Sequence, residues 1–131
     1  MHQLHTRLRV LVVEDCRDTA ESLQILLRLW GHDVCIASDG CTALDVAQSF
    51  APHVILLDIG LPRLDGFKVA RRLKEMPSLQ VPFVVAATGY DGVSFRTNSH
   101  QAGFDCILPK PFDLQVLREL LATSGEVVPA S

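Results

Sequence analysis

No cluster of Lys or Arg interrupts this sequence: its 12 basic side chains are dispersed and outnumbered by 15 acidic ones. A formal net charge of −3 leaves no electrostatic footprint for nucleic acid or an anionic membrane surface. Long hydrophobic runs are missing too. Residues 1–9 are largely polar, and the first apolar run, Val10 to Val13, is far too short to cross a bilayer or form the core of a leader. A cytoplasmic location without membrane partners is the expectation. The four cysteines, Cys16, Cys35, Cys41 and Cys106, form no Cys-x-x-Cys pair and show no zinc-ligand spacing, which points to reduced thiols. A redox sensor would want an exposed thiol in an electropositive setting, and Cys16 sits beside two acids. The chain also lacks internal repeats, low-complexity tracts and any G-x-x-x-x-G-K-[ST] string, so P-loop nucleotide chemistry is excluded.

What is there fits one compact domain. The 131 residues are 48% hydrophobic, enough for a real core and too few for a second full domain or a DNA-binding output module. Five short apolar runs alternate with helical patterns, the signature of βαβ units on a parallel sheet. The runs are Arg9 to Val13, Asp33 to Ala37, His53 to Leu57, Pro82 to Ala86 and Cys106 to Leu108. The third and fourth are almost continuously apolar, as strands covered on both faces should be.

After the first run, Ala20, Leu23, Leu27 and Trp30 share a helical face, Asp18 with Glu21 reads as a capping box, and Gly31 ends the helix. Thr42 to Ser49, Phe67 to Glu75 and Asp113 to Ala122 read as further helices. In the last, Asp113 is the expected N-cap and Leu114, Leu117 and Leu121 the buried stripe. Gly92 to Ala102 has helical length but few apolar positions, which predicts thin packing and mobility. Residues 9–122 are therefore the expected domain, with 1–8 an N-terminal extension and 123–131 a flexible tail. His2 and His5 in that extension read as a solvated pair rather than a metal site.

In an open parallel sheet the ligand crevice lies beyond the C-terminal ends of the strands. Glu14 and Asp15 follow the first run, Asp58 the third, Thr88 the fourth and Lys110 the fifth. Carboxylates gathered on one rim repel, and a hard cation resolves the conflict. Oxygen ligands with room for water suit Mg²⁺. Asp58 can then act as a nucleophile of the aspartyl-phosphate type, with Lys110 and the Thr88 hydroxyl donating to the phosphoryl oxygens. Taken singly, each residue has an ordinary explanation: acids after strands cap helices, Thr88 before Gly89 makes a turn, and a lone lysine is a solvated surface group. Only their conjunction is specific. Asp58 also opens DIGLPRLDG, whose Pro62 and Gly66 suggest a loop held in fixed shape beside the carboxylate, and Pro111 after Lys110 allows a cis bond that would aim the lysine.

The strings VLVVEDC, LLDIGLPRLDGF, ATGY and KPF, in this order and spacing, strongly resemble the receiver domain of two-component response regulators. The resemblance covers about Arg9 to Leu121. It implies a flavodoxin-like, doubly wound five-stranded parallel sheet of order 2-1-3-4-5 with five helices. It also implies Asp58 as phosphoacceptor and Glu14 and Asp15 as the acidic pair, Thr88 as switch hydroxyl and Lys110 as phosphate-contacting lysine. Mg²⁺ would be held by Asp15, Asp58 and the Gly60 carbonyl, with Glu14 indirect. The implied partners are a sensor histidine kinase or histidine phosphotransfer protein, and an unidentified downstream output partner. RDTAESLQILLRLWGHDV and AGFDCILPKPFD look most like stand-alone receivers or those ending hybrid kinases. Two positions depart from the common pattern: Ile107 replaces the usual aromatic or His switch residue, and Pro109 precedes the lysine. Backbone movement near Thr88, with Tyr90 as marker, is therefore the expected switch.

Other classes fit less well. A metal-dependent phosphatase with an Asp nucleophile wants a second acid two residues on, where Gly60 stands. A flavodoxin-type flavin carrier shares the fold, but the acidic turn EDCRD is no phosphate cradle. An unphosphorylated adaptor derived from a receiver would have lost an acid or the lysine, and none is lost.

Overall fold

The computed structural model describes residues 7–59, 66–76, 81–88, 104–110 and 112–127. Its elements run β1 (Arg9–Val13), α1 (Arg17–Leu29), β2 (Asp33–Ala37), α2 (Gly40–Phe50), β3 (Val54–Asp58), α3 (Gly66–Glu75), β4 (Phe83–Thr88), β5 (Cys106–Pro109) and α4 (Leu114–Val127). The strands pair in parallel in the order β2-β1-β3-β4-β5, the doubly wound arrangement expected from the sequence. The expected helix Gly92 to Ala102 lies outside the described residues, as do His2, His5 and residues 128–131. No helix among the described residues is long and apolar enough to cross a membrane.

Alternation along each strand sorts apolar side chains to opposite faces. Leu11, Val13, Ile55, Leu57, Val84 and Ala86 face Ala43, Ala47, Val69, Ala70 and Leu73 of α2 and α3. Val10, Val12, Val54, Leu56 and Val85 face Leu23 and Leu27 of α1 and Leu117 and Leu121 of α4. Each fully buried Leu, Ile or Val in these layers is worth about 1.5–3 kcal/mol. Polarity inside a strand would forfeit that, so polar chemistry is displaced to the strand ends.

Several local expectations need correction. Asp18 and Glu21 form no capping box: α1 starts at Arg17, Cys16 takes the cap position without a side-chain cap, and Glu21 pairs instead with Arg17 at 2.9 Å. Asp18 stays in the first turn, where its charge meets the positive end of the helix dipole. Leu114 is 50% exposed, although its angular position matches Leu121. It belongs to the first turn of α4 and opens on a cleft shared with Trp30 and Arg118. That helix continues to Val127, five residues beyond the pattern, and the Thr123 hydroxyl donates back to the carbonyls of Glu119 and Leu120.

Other caps behave as their residue types require. Gly31 has φ 94°, and its N–H and that of His32 bond to the carbonyls of Arg28 and Leu27, closing α1 with a Schellman pattern. Asp39, unremarked in the sequence, caps α2 by accepting the Thr42 N–H at 2.7 Å. Asp113 accepts the N–H groups of Gln115 and Val116 and so caps α4.

The N-terminal edge of the sheet carries an arrangement that no motif announces. His32 and His53 stand just before β2 and β3, and their Nδ1 atoms accept the N–H groups of Leu8 and Arg9 at 3.1 and 2.9 Å. Burial, then the nearby Arg9 guanidinium, push the His53 pKa below its ordinary value. An imidazole depressed in the fold stabilises above its unfolded pKa of about 6.5 and loses that contribution as pH falls toward the folded value. Denaturant titrations between pH 7.5 and 5 should therefore show wild-type stability falling on this account. His53→Gln, whose amide oxygen can still accept the Arg9 N–H, should show a smaller fall. Equal slopes would remove His53 as the cause.

Candidate functional site

β1 and β3 are neighbours with Val13 opposite Leu57, so Glu14, one residue past β1, lies beside Asp58 at the end of β3. The Glu14 N–H bonds to the Ala37 carbonyl, which extends the ladder toward β2 and fixes the backbone of the acid. Both side chains are nearly enclosed: Glu14 is 6% and Asp58 7% exposed, whereas Asp15 stands on the exposed rim. Thr88 ends β4 at 1% exposure, one position beyond Ala87, the partner of Asp58 in register.

Lys110 reaches this pair from just beyond β5. Its Nζ lies 2.9 Å from Asp58 Oδ2 and 3.1 Å from Glu14 Oε1, while its N–H donates to the Thr88 carbonyl at 2.9 Å. The second Glu14 oxygen accepts the Cys16 N–H at 3.2 Å, tying the acid to the start of α1. Four of the five residues singled out in the sequence thus share one buried cluster at the C-terminal edge, and Asp15 lies at its margin.

Electrostatics follow from enclosure. Burial pushes the Glu14 carboxyl above the usual range; the Cys16 amide and the Lys110 ammonium pull it down, and the Asp58 charge adds to the rise. For Lys110, burial acts to lower the pKa, but hydrogen bonds and charge from Asp58 and Glu14 together outweigh it and hold the ammonium above its ordinary value. The lysine is therefore firmly charged.

Among the described residues one ammonium faces two carboxylates, an acidic excess to which Asp15 adds. Among the described residues no group of three or more His, Cys, Asp or Glu side chains is gathered that could hold a metal ion. The donors that are present, carboxylate oxygens in acidic excess, are of the kind Mg²⁺ takes, one or two at a time with several waters kept. Gly60, Tyr90 and Pro111, with the expected carbonyl ligand, switch marker and cis bond, lie outside the described residues. Ile107 is half-buried in β5 opposite Ala86, packed against the core layer shared with α2 and α3.

A polar latch went unnoticed in the sequence. The Lys74 ammonium of α3 bonds to Asp105 and, at 2.8 Å, to the Pro82 carbonyl, while the same Asp105 oxygen accepts the Val84 N–H at 2.8 Å. It ties α3 to β4 and to the approach to β5. A lone lysine and a lone aspartate 31 residues apart carry no local signal of such a contact. All four cysteines are free, and burial raises the thiol pKa of Cys35 and Cys106.

The family model for the response regulator receiver domain matches residues 10–122. Response regulator MprA of Mycobacterium avium is 44% identical over 115 residues, 88% of this chain and 48% of the relative. The corresponding protein of Mycolicibacterium vanbaalenii is 44% identical over 114 residues, 87% of this chain and 47% of that protein. The chain thus spans about half the length of these curated relatives. Among solved structures, a response regulator from Chloroflexus aurantiacus superposes with TM-score 0.82 at 26% identity, covering 92% of this chain and 99% of that one. The BeF3-activated N-terminal receiver domain of Klebsiella pneumoniae RstA gives 0.80 at 25% identity, covering 89% and 97%.

Because Lys110 is an ammonium shared by two enclosed acids, Lys110→Ala should destabilise the protein by roughly 1–3 kcal/mol at pH 7, the cost of removing a charged hydrogen-bond partner from buried carboxylates. Urea denaturation should show that loss shrinking near pH 5, as Glu14 takes up a proton in the variant. A loss independent of pH would mean that packing of the lysine stem dominates.

Proposed function

This chain belongs to the response regulator receiver domain family of two-component signalling, and on that premise we propose that Asp58 accepts a phosphoryl group from a phosphohistidine in a Mg²⁺-dependent transfer. The observation that carries the reading is the Lys110 ammonium held 2.9 Å from Asp58 Oδ2 within an enclosed acidic cluster. Asp58 attacks phosphorus through a carboxylate oxygen; the new O–P bond forms as the P–N bond to the donor imidazole breaks, and the imidazole leaves to take up a proton. Lys110, already in place, stabilises negative charge on the phosphoryl oxygens. Mg²⁺, held by Asp15, Asp58 and the Gly60 carbonyl with Glu14 acting through water, would neutralise phosphoryl charge when bound. The chain catalyses only its own phosphorylation and dephosphorylation.

The donor is a sensor histidine kinase or a histidine phosphotransfer protein, and the state of Asp58 is read by a downstream output partner. Phosphorylation adds roughly −1.5 to −2 charge. Thr88 responds through its hydroxyl, and its carbonyl already accepts the Lys110 N–H, so movement at either residue reaches the other. With Ile107 packed in β5 in place of an aromatic switch residue, the response runs through the backbone after Thr88, with Tyr90 as its marker.

Intact-mass spectrometry with acetyl phosphate and Mg²⁺ should show a single labile adduct of one phosphoryl group, lost in Asp58→Asn. An undiminished adduct in that variant would exclude Asp58. Millimolar Mg²⁺ should also raise the melting temperature, since a ligand at 100 times its Kd adds about 2.7 kcal/mol to the native state. Asp15→Ala should blunt that rise, and an equal rise in the variant would exclude Asp15 as a ligand.

A further inference from the structure

Ile59, the residue directly after Asp58, is pressed against the backbone of Gly66 at the start of α3. A Cβ at position 66 would lie 2.6 Å from Ile59 Cγ2 and 3.0 Å from Ile59 Cβ. Both distances fall well inside the 3.5–4.0 Å at which carbon atoms rest against one another. Gly66 does not share the left-handed backbone of Gly31, so space and not conformation demands a glycine here.

Ile59 has little freedom to yield. Its N–H donates to the Ala87 carbonyl at 3.1 Å, and its side chain packs against the core layer of α2 and α3. A push at Ile59 therefore passes into the peptide that carries Asp58, whose carboxylate must stay 2.9 Å from the Lys110 ammonium. Transfer chemistry is sensitive to such shifts: a misplacement of about 1 Å can cost on the order of 100-fold in rate.

We propose that Gly66 and Ile59 are positioning residues for the phosphoacceptor: the absence of a side chain at 66 lets α3 begin against Ile59, and that contact holds Asp58 in register with Lys110. The inference rests on the reading of Asp58 as phosphoacceptor. It differs from a merely structural role in a way that can be measured. Ala is a better helix former than Gly, so a role confined to α3 would leave phosphorylation of Gly66→Ala unimpaired.

The test compares wild type, Gly66→Ala and the double variant Gly66→Ala with Ile59→Leu, which removes the branch at Ile59 Cβ but keeps the side-chain volume. Rates of adduct formation with acetyl phosphate and Mg²⁺ are followed by intact mass, and amide exchange at Ile59 by NMR. Gly66→Ala should slow phosphorylation at least tenfold and speed exchange of the Ile59 amide; the double variant should recover both to within about threefold of wild type. A wild-type rate in Gly66→Ala, or a double variant as slow as the single one, overturns the proposal. Should Gly66→Ala not fold, recovery of fold and rate by Ile59→Leu in that background supports the contact, and no recovery overturns it. Failure of wild type to take a phosphoryl group would strike the Asp58 reading instead, and the exchange comparison would then decide the steric link alone.

Discussion

Two carboxylates that are almost wholly out of water, Glu14 and Asp58, share the Lys110 ammonium. Like charges about 4 Å apart repel by on the order of 4 kcal/mol at an effective dielectric near 20. Among the described residues, Lys110, delivered by β5, is the cation that offsets this repulsion. Sheet order makes that delivery demanding. β4 lies between β3 and β5, so the lysine must extend past one whole strand to reach Asp58 and past β3 to reach Glu14. A long stem with a compact charge at its tip suits the task. The broad planar fork of arginine would ask for different space.

The same constraint explains where polarity occurs at all. β3 is buried along its whole length, and the strand side chains are committed alternately to the layer under α2 and α3 or to the layer under α1 and α4. Polar groups can enter only where strands leave the sheet. At the C-terminal edge these are Glu14, Asp58, Thr88 and Lys110. At the N-terminal edge they are His32 and His53, which accept backbone N–H groups left without a ladder partner at the start of β1. One edge gathers charge, while the other satisfies backbone N–H groups with imidazole nitrogens.

Much of the architecture was legible in the pattern of residues because burial on both faces leaves a plain signature. β1 and β2 have the bounds their apolar runs suggested, and β3 and β4 end one and two residues later, on Asp58 and Thr88. Those small differences have a cause: a run of apolar residues ends where polarity begins, but ladder hydrogen bonding continues one step past it, as in Ile59 N–H to Ala87. Helix ends were less legible. The acids at 18 and 21 resembled a capping box, yet Arg17 engages Glu21 as an i,i+4 neighbour and Cys16 caps with its backbone alone. Leu114 shows that helical angle does not suffice for burial, because a first turn can lie where nothing covers it.

By itself the sequence determined the class of fold, the order of its elements and the residue types that end each strand, since these depend on periodicity and on the exclusion of charge from a two-faced sheet. It also carried the identity of the acids, the hydroxyl and the lysine as a set. Only the tertiary structure decided which of them touch: that Glu14 and Asp58 divide one lysine while Asp15 stays at the rim, that Lys74 finds Asp105, that two histidines hold the start of β1, and that Ile59 leaves no room for a side chain at Gly66. The physical reason is range. Periodicity and capping act between residues a few positions apart, whereas these contacts join residues brought together by the stacking of whole elements, and no local preference encodes a distance across a sheet.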